Sequence, residues 1–338
     1  MAIPNHEQRL LERAAAFSDV GEWDELSSGD LCQLTRLHGI DFATAVLLDR
    51  LRRSNRHGPL INRIDKLRQV NVEDLCCTEY KLVVLPGAFH REYPQTGAGG
   101  EALLKAGTSL GIETARLPLS SHATRSINGR MILDWLDQQP PTPVVLVSLS
   151  KGGADLATAL RIPGAASAMQ HVRAWIDIGG TPFGAAGVSW LMDRRFRRVL
   201  LRLFFAIRRL DFGFMHDMQR RSPPSAPSQF QLPTDLETIH VCGFPLQAHL
   251  SGPLARKWHR RLMPLGPNDS LVILSDLLAC PGFCYPIWGT DHYLQPGWRT
   301  ISVIAALLHN LGQEETARRP IQRPDGKIAE PLHHRPSQ

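Results

Sequence analysis

Between Val144 and Val147 four branched aliphatic residues follow one another, with Pro140, Pro141 and Pro143 just upstream. A run this short, bounded by breakers, predicts a buried strand. From about Ser150 the pattern changes to a small apolar face, Ala154, Leu156, Ala157, Ala159 and Leu160, which Pro163 and Gly164 stop; this predicts a helix. Residues 81–85 (KLVVL) before Pro86-Gly87 and residues 238–243 (TIHVCG) predict two more strands, and residues 299–311 a late helix. Ahead of them, residues 7–17, 28–37 and 42–51 carry helical patterns with no convincing strand among them. The reading is an α/β domain over residues 76–312, preceded by a helical extension over 1–75. The tail, 313–338, is polar, basic and proline-containing, and reads as disordered.

The strand-to-helix turn at Ser148-Leu149-Ser150-Lys151-Gly152-Gly153 is the most informative point in the chain. A turn this tight crowds the residues two before and two after its centre, so both must be small. Ser148 and Gly152 satisfy that for a nucleophile at Ser150, whereas Leu146 would crowd one at Ser148.

A nucleophilic serine needs a base to take its proton and an acid to orient that base. In strand–turn–helix hydrolases the chain order is serine, acid, histidine. Asp269 lies in a polar turn, Gly266-Pro267-Asn268-Asp269-Ser270, ahead of the apolar run Leu271–Leu274 read as following a parallel strand. His292 lies in the loop Trp288-Gly289-Thr290-Asp291-His292-Tyr293. Asp276 is the competing acid, and Asp291 reads as a residue that orients its own loop. His240 and His249 precede the acid, His309 falls inside a helix, and His333 and His334 lie in the tail. The oxyanion requires two convergent N–H donors. Lys151, next after the nucleophile, supplies one; Ala88, after the Pro86-Gly87 turn, supplies the other, with Phe89 next in line. Phe89 and Leu149, adjacent to these donors, are the candidate substrate-contacting side chains.

This ordered set resembles the α/β-hydrolase superfamily, and within it the bacterial lipases and esterases. It comprises Leu85-Pro86-Gly87, the Ser150 turn, Asp177-Ile178-Gly179-Gly180-Thr181-Pro182-Phe183-Gly184, Asn268-Asp269-Ser270-Leu271-Val272 and Asp291-His292. Two departures stand out: residues 181–184 are one residue shorter than the lipase pattern, and Ser270 replaces its glycine. The resemblance implies a mostly parallel sheet flanked by helices, a Ser150–His292–Asp269 triad, and hydrolysis of carboxylic esters with no cofactor and no metal. A thioesterase or acyltransferase could use the same triad, and a non-catalytic scaffold binding a partner or anionic membrane is the remaining class.

Residues 185–235 read as a cap inserted between strands. Arg194, Arg198, Arg202 and Arg209 fall on one helical face, widened by Arg195, Arg197 and Arg208. Phe196, Val199, Leu200, Leu203, Phe204, Ile207 and Leu210 fall on the other. The expectation is that this apolar face covers the Ser150 cleft, favouring a hydrophobic acyl substrate. Peripheral contact with an anionic membrane is the second reading. Ser222-Pro223-Pro224-Ser225 reads as a connector.

The net charge of +6 over 338 residues is modest and gathers in the cap, so nucleic-acid binding is not expected. The first residues lack the apolar core of a signal peptide, which gives a cytoplasmic expectation. The six cysteines, including the vicinal Cys76-Cys77 pair and Cys280-Pro281-Gly282-Phe283-Cys284, then read as reduced thiols.

Overall fold

The computed structural model describes residues 5–75, 80–221, 236–250, 252–294 and 300–318. Cys76, Cys77, the connector from Ser222 and the tail histidines lie outside them. Six strands, β1 (Lys81–Leu85), β2 (Thr114–Arg116), β3 (Val144–Leu149), β4 (Val172–Ile178), β5 (Glu237–Phe244) and β6 (Phe283–Trp288), form one sheet. Its order is β2-β1-β3-β4-β5-β6, with every neighbouring pair parallel.

The unbroken apolar runs follow from burial on both faces, since alternate residues of each strand feed different cores. Leu82, Val84, Val145, Val147, Ile176 and Val241 point into one; Val83, Leu85, Val144, Leu146 and Trp175 point into the other. The second core is closed by helices α6 (Arg125–Asp137), α7 (Lys151–Ala159) and α8 (Ala165–Ala168). The first is closed by α5 (Glu101–Ser109) and α13 (Thr300–Arg318), and it runs without a break into the N-terminal helices. Those are α1 (Asn5–Ala15), α2 (Ser28–His38), α3 (Ile40–Arg53) and α4 (Gly58–Leu67). Leu47, Leu51, Ile61 and Ile64 therefore share a hydrophobic core with Val303 and Leu307, and Tyr285 on β6 donates its hydroxyl to Asp65 at 2.7 Å.

Three details depart from the sequence reading. The apolar run Leu271–Leu274 leads into a 3₁₀ turn at Leu274–Ala279, and a sixth strand, β6, begins inside residues 280–284, where the pattern reads as a turn. The pattern at Gly58–Leu67 makes a fourth N-terminal helix, with Pro59 in its first turn, where a missing N–H has no cost. Helix α13 runs on through Gln313 to Arg318, past the point where the polar tail was expected to begin.

The cap comprises α9 (Ala186–Asp193), α10 (Arg195–Ile207) and α11 (Gly213–Asp217), and α12 (Pro253–Leu262) follows β5. Its two ends meet where Ala185 pairs with Gln219, Ala185 N–H donates to Met218 O at 2.9 Å and Arg221 N–H donates to Phe183 O at 2.8 Å. Among the described residues no helix is long and apolar enough to cross a membrane.

Candidate active site

The strand order reverses between β1 and β3, and in an open parallel sheet the crevice at such a point, beyond the carboxyl ends, is where ligands bind. Ser150 follows β3 there, and the Pro86-Gly87-Ala88 loop follows β1. Ser150 has φ 49° and ψ −111°, a backbone state that non-glycine residues rarely occupy and that costs roughly 1–3 kcal/mol. Its N–H donates to Ile178 O at 2.9 Å, and its carbonyl accepts from Gly153 N–H at 3.0 Å. Only a glycine fits at 152, because a Cβ there would stand 2.5 Å from Leu85 O. Ser148 is more than a small neighbour: its hydroxyl donates to Asp177 Oδ1 at 2.6 Å and accepts from Trp175 Nε1 at 2.7 Å. The turn is thus fixed from beneath.

The three residues separated by up to 142 positions in sequence converge. Ser150 Oγ lies 3.0 Å from His292 Nε2, and His292 Nδ1 lies 2.9 Å from Asp269 Oδ2. The carboxylate opposite requires Nδ1 to donate, which leaves Nε2 free to accept the serine proton. Asp269 is itself held: Oδ1 accepts from the backbone N–H groups of Leu271 at 2.9 Å and Val272 at 2.6 Å. Asn268 braces the turn, donating from Nδ2 to His259 O and Gly266 O and accepting Ser270 N–H at 3.0 Å. Ser270 has φ 86°, so the residue that replaces the lipase-pattern glycine sits where glycine is favoured. Burial pulls the His292 pKa down, but the Asp269 carboxylate and its hydrogen bond outweigh that, and the net direction is upward.

Asp276 stands elsewhere. Its carboxylate takes a bidentate pair from Arg220, 3.0 Å to Nε and 2.5 Å to an Nη, at the root of the cap. Asp291 accepts the N–H of Tyr293 at 2.9 Å in its own loop, and His309 meets Gln313. His240 is buried against Asp177 Oδ2 at 3.0 Å and Pro281 O at 2.9 Å, below the Ser148 hydroxyl that shares the same carboxylate. Cys280 and Cys284 are free thiols, and burial pushes the Cys284 thiol up to about 12.

Lys151 opens α7, so its N–H has no partner within the helix and sits at the positive end of the helix dipole. Gly87 packs against the Ser150 turn, and Ala88, Lys151 and Ser150 line one cavity. Neither the Ala88 nor the Lys151 N–H meets an acceptor among the described residues. Phe89 N–H, the reserve donor, is committed to Ser121 O at 3.0 Å, which removes it from that role. His90, which the sequence did not single out, holds the loop: its Nδ1 faces Gly87 O at 3.0 Å and must donate to it, and burial lowers the His90 pKa. The Lys151 ammonium, buried, sits 2.7 Å from both oxygens of Asp155, which also accepts from Asn128 Nδ2 at 2.7 Å. Burial raises the Asp155 pKa to about 6 against the opposing pull of Lys151.

The cavity, of about 380 Å³, is walled on one side by Ala98, Gly100, Leu103 and Leu149 and on the other by cap residues Val188, Leu191, Phe214, Met215 and Met218. Phe89 and Leu149 both line it. Among the described residues that line it, Lys151 is the only Lys, Arg, Asp or Glu, and its ammonium is turned away to Asp155. One expectation fails here. Of the predicted cap stripe, Phe196, Val199, Leu200, Leu203, Phe204 and Ile207 do not cover the cleft, being 42–73% exposed, and only Leu210 packs inward. The residues of α10 that turn inward are Phe205, which is buried, and Leu201; both were unnoticed in sequence because they sit one position off that stripe. Phe205 packs behind the site wall, against the lining residues Phe89 (ring centroids 6.1 Å) and Phe214 (6.4 Å, stacked).

No family model and no curated protein matches the chain. Among solved structures, it is similar to a metagenomic carboxyl esterase at TM-score 0.54 and 17% identity, over 70% of this chain and 76% of that one. The chain has the α/β-hydrolase fold. A mature Bacillus licheniformis lipase (TM-score 0.47, 20% identity, 70% and 93% covered) and mouse α/β hydrolase domain-containing protein 10 (0.39, 16%, 70% and 90%) are also similar. Within this α/β-hydrolase fold the Ser150 turn occupies the end of the central strand β3, flanked on both sides by parallel neighbours.

Proposed function

We propose that this protein is a serine hydrolase that cleaves carboxylic esters of hydrophobic acyl groups. The observation that carries the reading is the continuous line Ser150 Oγ–His292 Nε2, His292 Nδ1–Asp269 Oδ2, anchored on a strained turn at the floor of an apolar cavity. Ser150 Oγ attacks the acyl carbonyl as His292 Nε2 takes its proton, and the carbonyl oxygen, now an anion, receives the N–H groups of Ala88 and Lys151. His292 then gives the proton to the departing alcohol, leaving an acyl-serine. Water, deprotonated by the same imidazole, attacks that ester and returns Ser150 to its hydroxyl form. Asp269 keeps Nδ1–H in place and stabilises the imidazolium of each step.

The apolar lining selects against charged or sugar-like groups next to the carbonyl, since each would lose hydration without a partner. A thioester would fit the same walls, because the acyl part is what they touch. Turnover of a series of p-nitrophenyl esters of increasing acyl length tests the substrate class. The reading expects kcat/KM to rise from acetate toward medium chains; a preference for acetate with no gain from added methylenes would contradict the apolar acyl site.

A further inference from the structure

Helix α10 presents an apolar strip that the rest of the chain leaves uncovered. Phe196, Val199, Leu203 and Ile207 recur at helical spacing along it and are 57–73% exposed. Arginines border the strip on both sides. Arg195 and Arg202 lie along one edge and Arg208 along the other, all exposed, and none has an acidic partner among the described residues. Residues 194–209 contain no Asp or Glu.

A second basic surface adjoins it. Helix α12 exposes Arg256, Lys257 and Arg260, with exposed Leu254 beside them, and residues 253–262 also contain no acid. The two helices are clamped together by Trp190 of α9, which lies under the Arg197 guanidinium at 3.6 Å and the Arg261 guanidinium at 4.1 Å. Water solvates this apolar strip poorly, and its borders repel a second copy of themselves by like charge. A protein partner would have to be acidic and apolar at once, over a strip one helix wide. The headgroup and upper acyl region of an anionic bilayer combine those two properties in one plane.

We propose that α10 docks on an anionic phospholipid surface, inserting Phe196, Val199, Leu203 and Ile207 while the arginines of α10 and α12 meet lipid phosphates. The inward residue Phe205 of the same helix packs on Phe89 and Phe214, both of which line the cavity, so the docked helix lies directly behind that wall. That arrangement offers lipid-dissolved esters to Ser150, and only this last step rests on the ester-hydrolase reading.

The test is co-sedimentation of the Ser150→Ala protein with phosphatidylcholine vesicles, with and without phosphatidylglycerol, at low and high salt. Using Ser150→Ala separates binding from the chemistry. The proposal expects binding to the phosphatidylglycerol vesicles that salt weakens. It expects at least about tenfold loss in Phe196→Ser/Val199→Ser/Leu203→Ser/Ile207→Ser and in Arg195→Gln/Arg202→Gln/Arg208→Gln. In the Ser150-containing protein, the apolar-strip variant should turn over a short water-soluble ester at the wild-type rate, which also shows that it folds. Equal binding to neutral vesicles, absence of binding, or a wild-type dimer that the apolar-strip variant dissolves would each overturn it.

Discussion

His292 is joined to Asp269 twice: its ring Nδ1 meets the carboxylate at 2.9 Å, and its backbone N–H donates to the Asp269 carbonyl at 2.7 Å. The imidazole and the loop that carries it are therefore positioned by one residue. Asp269→Asn removes the charge but can keep the backbone link, so it should lower kcat by on the order of a thousandfold or more without unfolding the protein. Asp276→Asn breaks the Arg220 pair at the cap root instead. It should lower the melting temperature with kcat changed by less than about tenfold. Steady-state kinetics and thermal melts of the two variants check this, and the reverse pattern would move the acid to Asp276.

The pH profile follows from the same contact. The base form of His292 is the active one, and protonation removes its acceptor. Because Asp269 outweighs burial and raises the pKa above the ordinary histidine value of 6.5, the acid limb of kcat/KM should lie above that pH. In Asp269→Asn burial acts unopposed by that carboxylate, and the limb should move down. A limb that stays in place in that variant would separate it from His292.

Ser270 offers a stability test independent of catalysis. It holds φ 86° with a buried hydroxyl that has no hydrogen-bond partner among the described residues. Ser270→Gly removes both penalties against the added chain entropy of glycine, with a net gain of about 0.5–1 kcal/mol in a chemical melt and kcat unchanged. Ser270→Val, branched at the same φ, should destabilise by more than that gain.

His90 is the positioning residue for the oxyanion loop through Gly87 O. His90→Ala should lower kcat by roughly ten- to a hundredfold with little change in KM, since the loss falls on transition-state stabilisation. His90→Asn, which can still donate to that carbonyl, should recover part of it. A rise in KM alone, or no rescue, would assign His90 to packing.

Much of this was legible in the sequence because it depends on local chemistry. The small residues at 148 and 152 mark the turn at Ser150, and chain order sets His292 apart from His240; Asp276 fits the same order as Asp269, and only the fold pairs it with Arg220 instead. What was not legible depends on which surface a side chain finds. The apolar stripe of α10 has the period of a buried face, but periodicity cannot say whether a protein or nothing lies opposite it. Phe205 escaped for the same reason. Cysteine-bounded residues 280–284 read as a turn because Pro281 and Gly282 dominate the pattern, although the chain leaves that turn directly into β6. His90 carries no sequence signal at all; its role exists only because Gly87 O folds to within 3.0 Å of it.

The central claim is that Ser150 is a nucleophile activated by His292. Treatment with a fluorophosphonate, followed by peptide mass mapping, tests it most directly. The expected result is one adduct, on Ser150, lost in Ser150→Ala and strongly slowed in His292→Ala. Labelling at another serine, or no labelling of a protein that is folded, would contradict it.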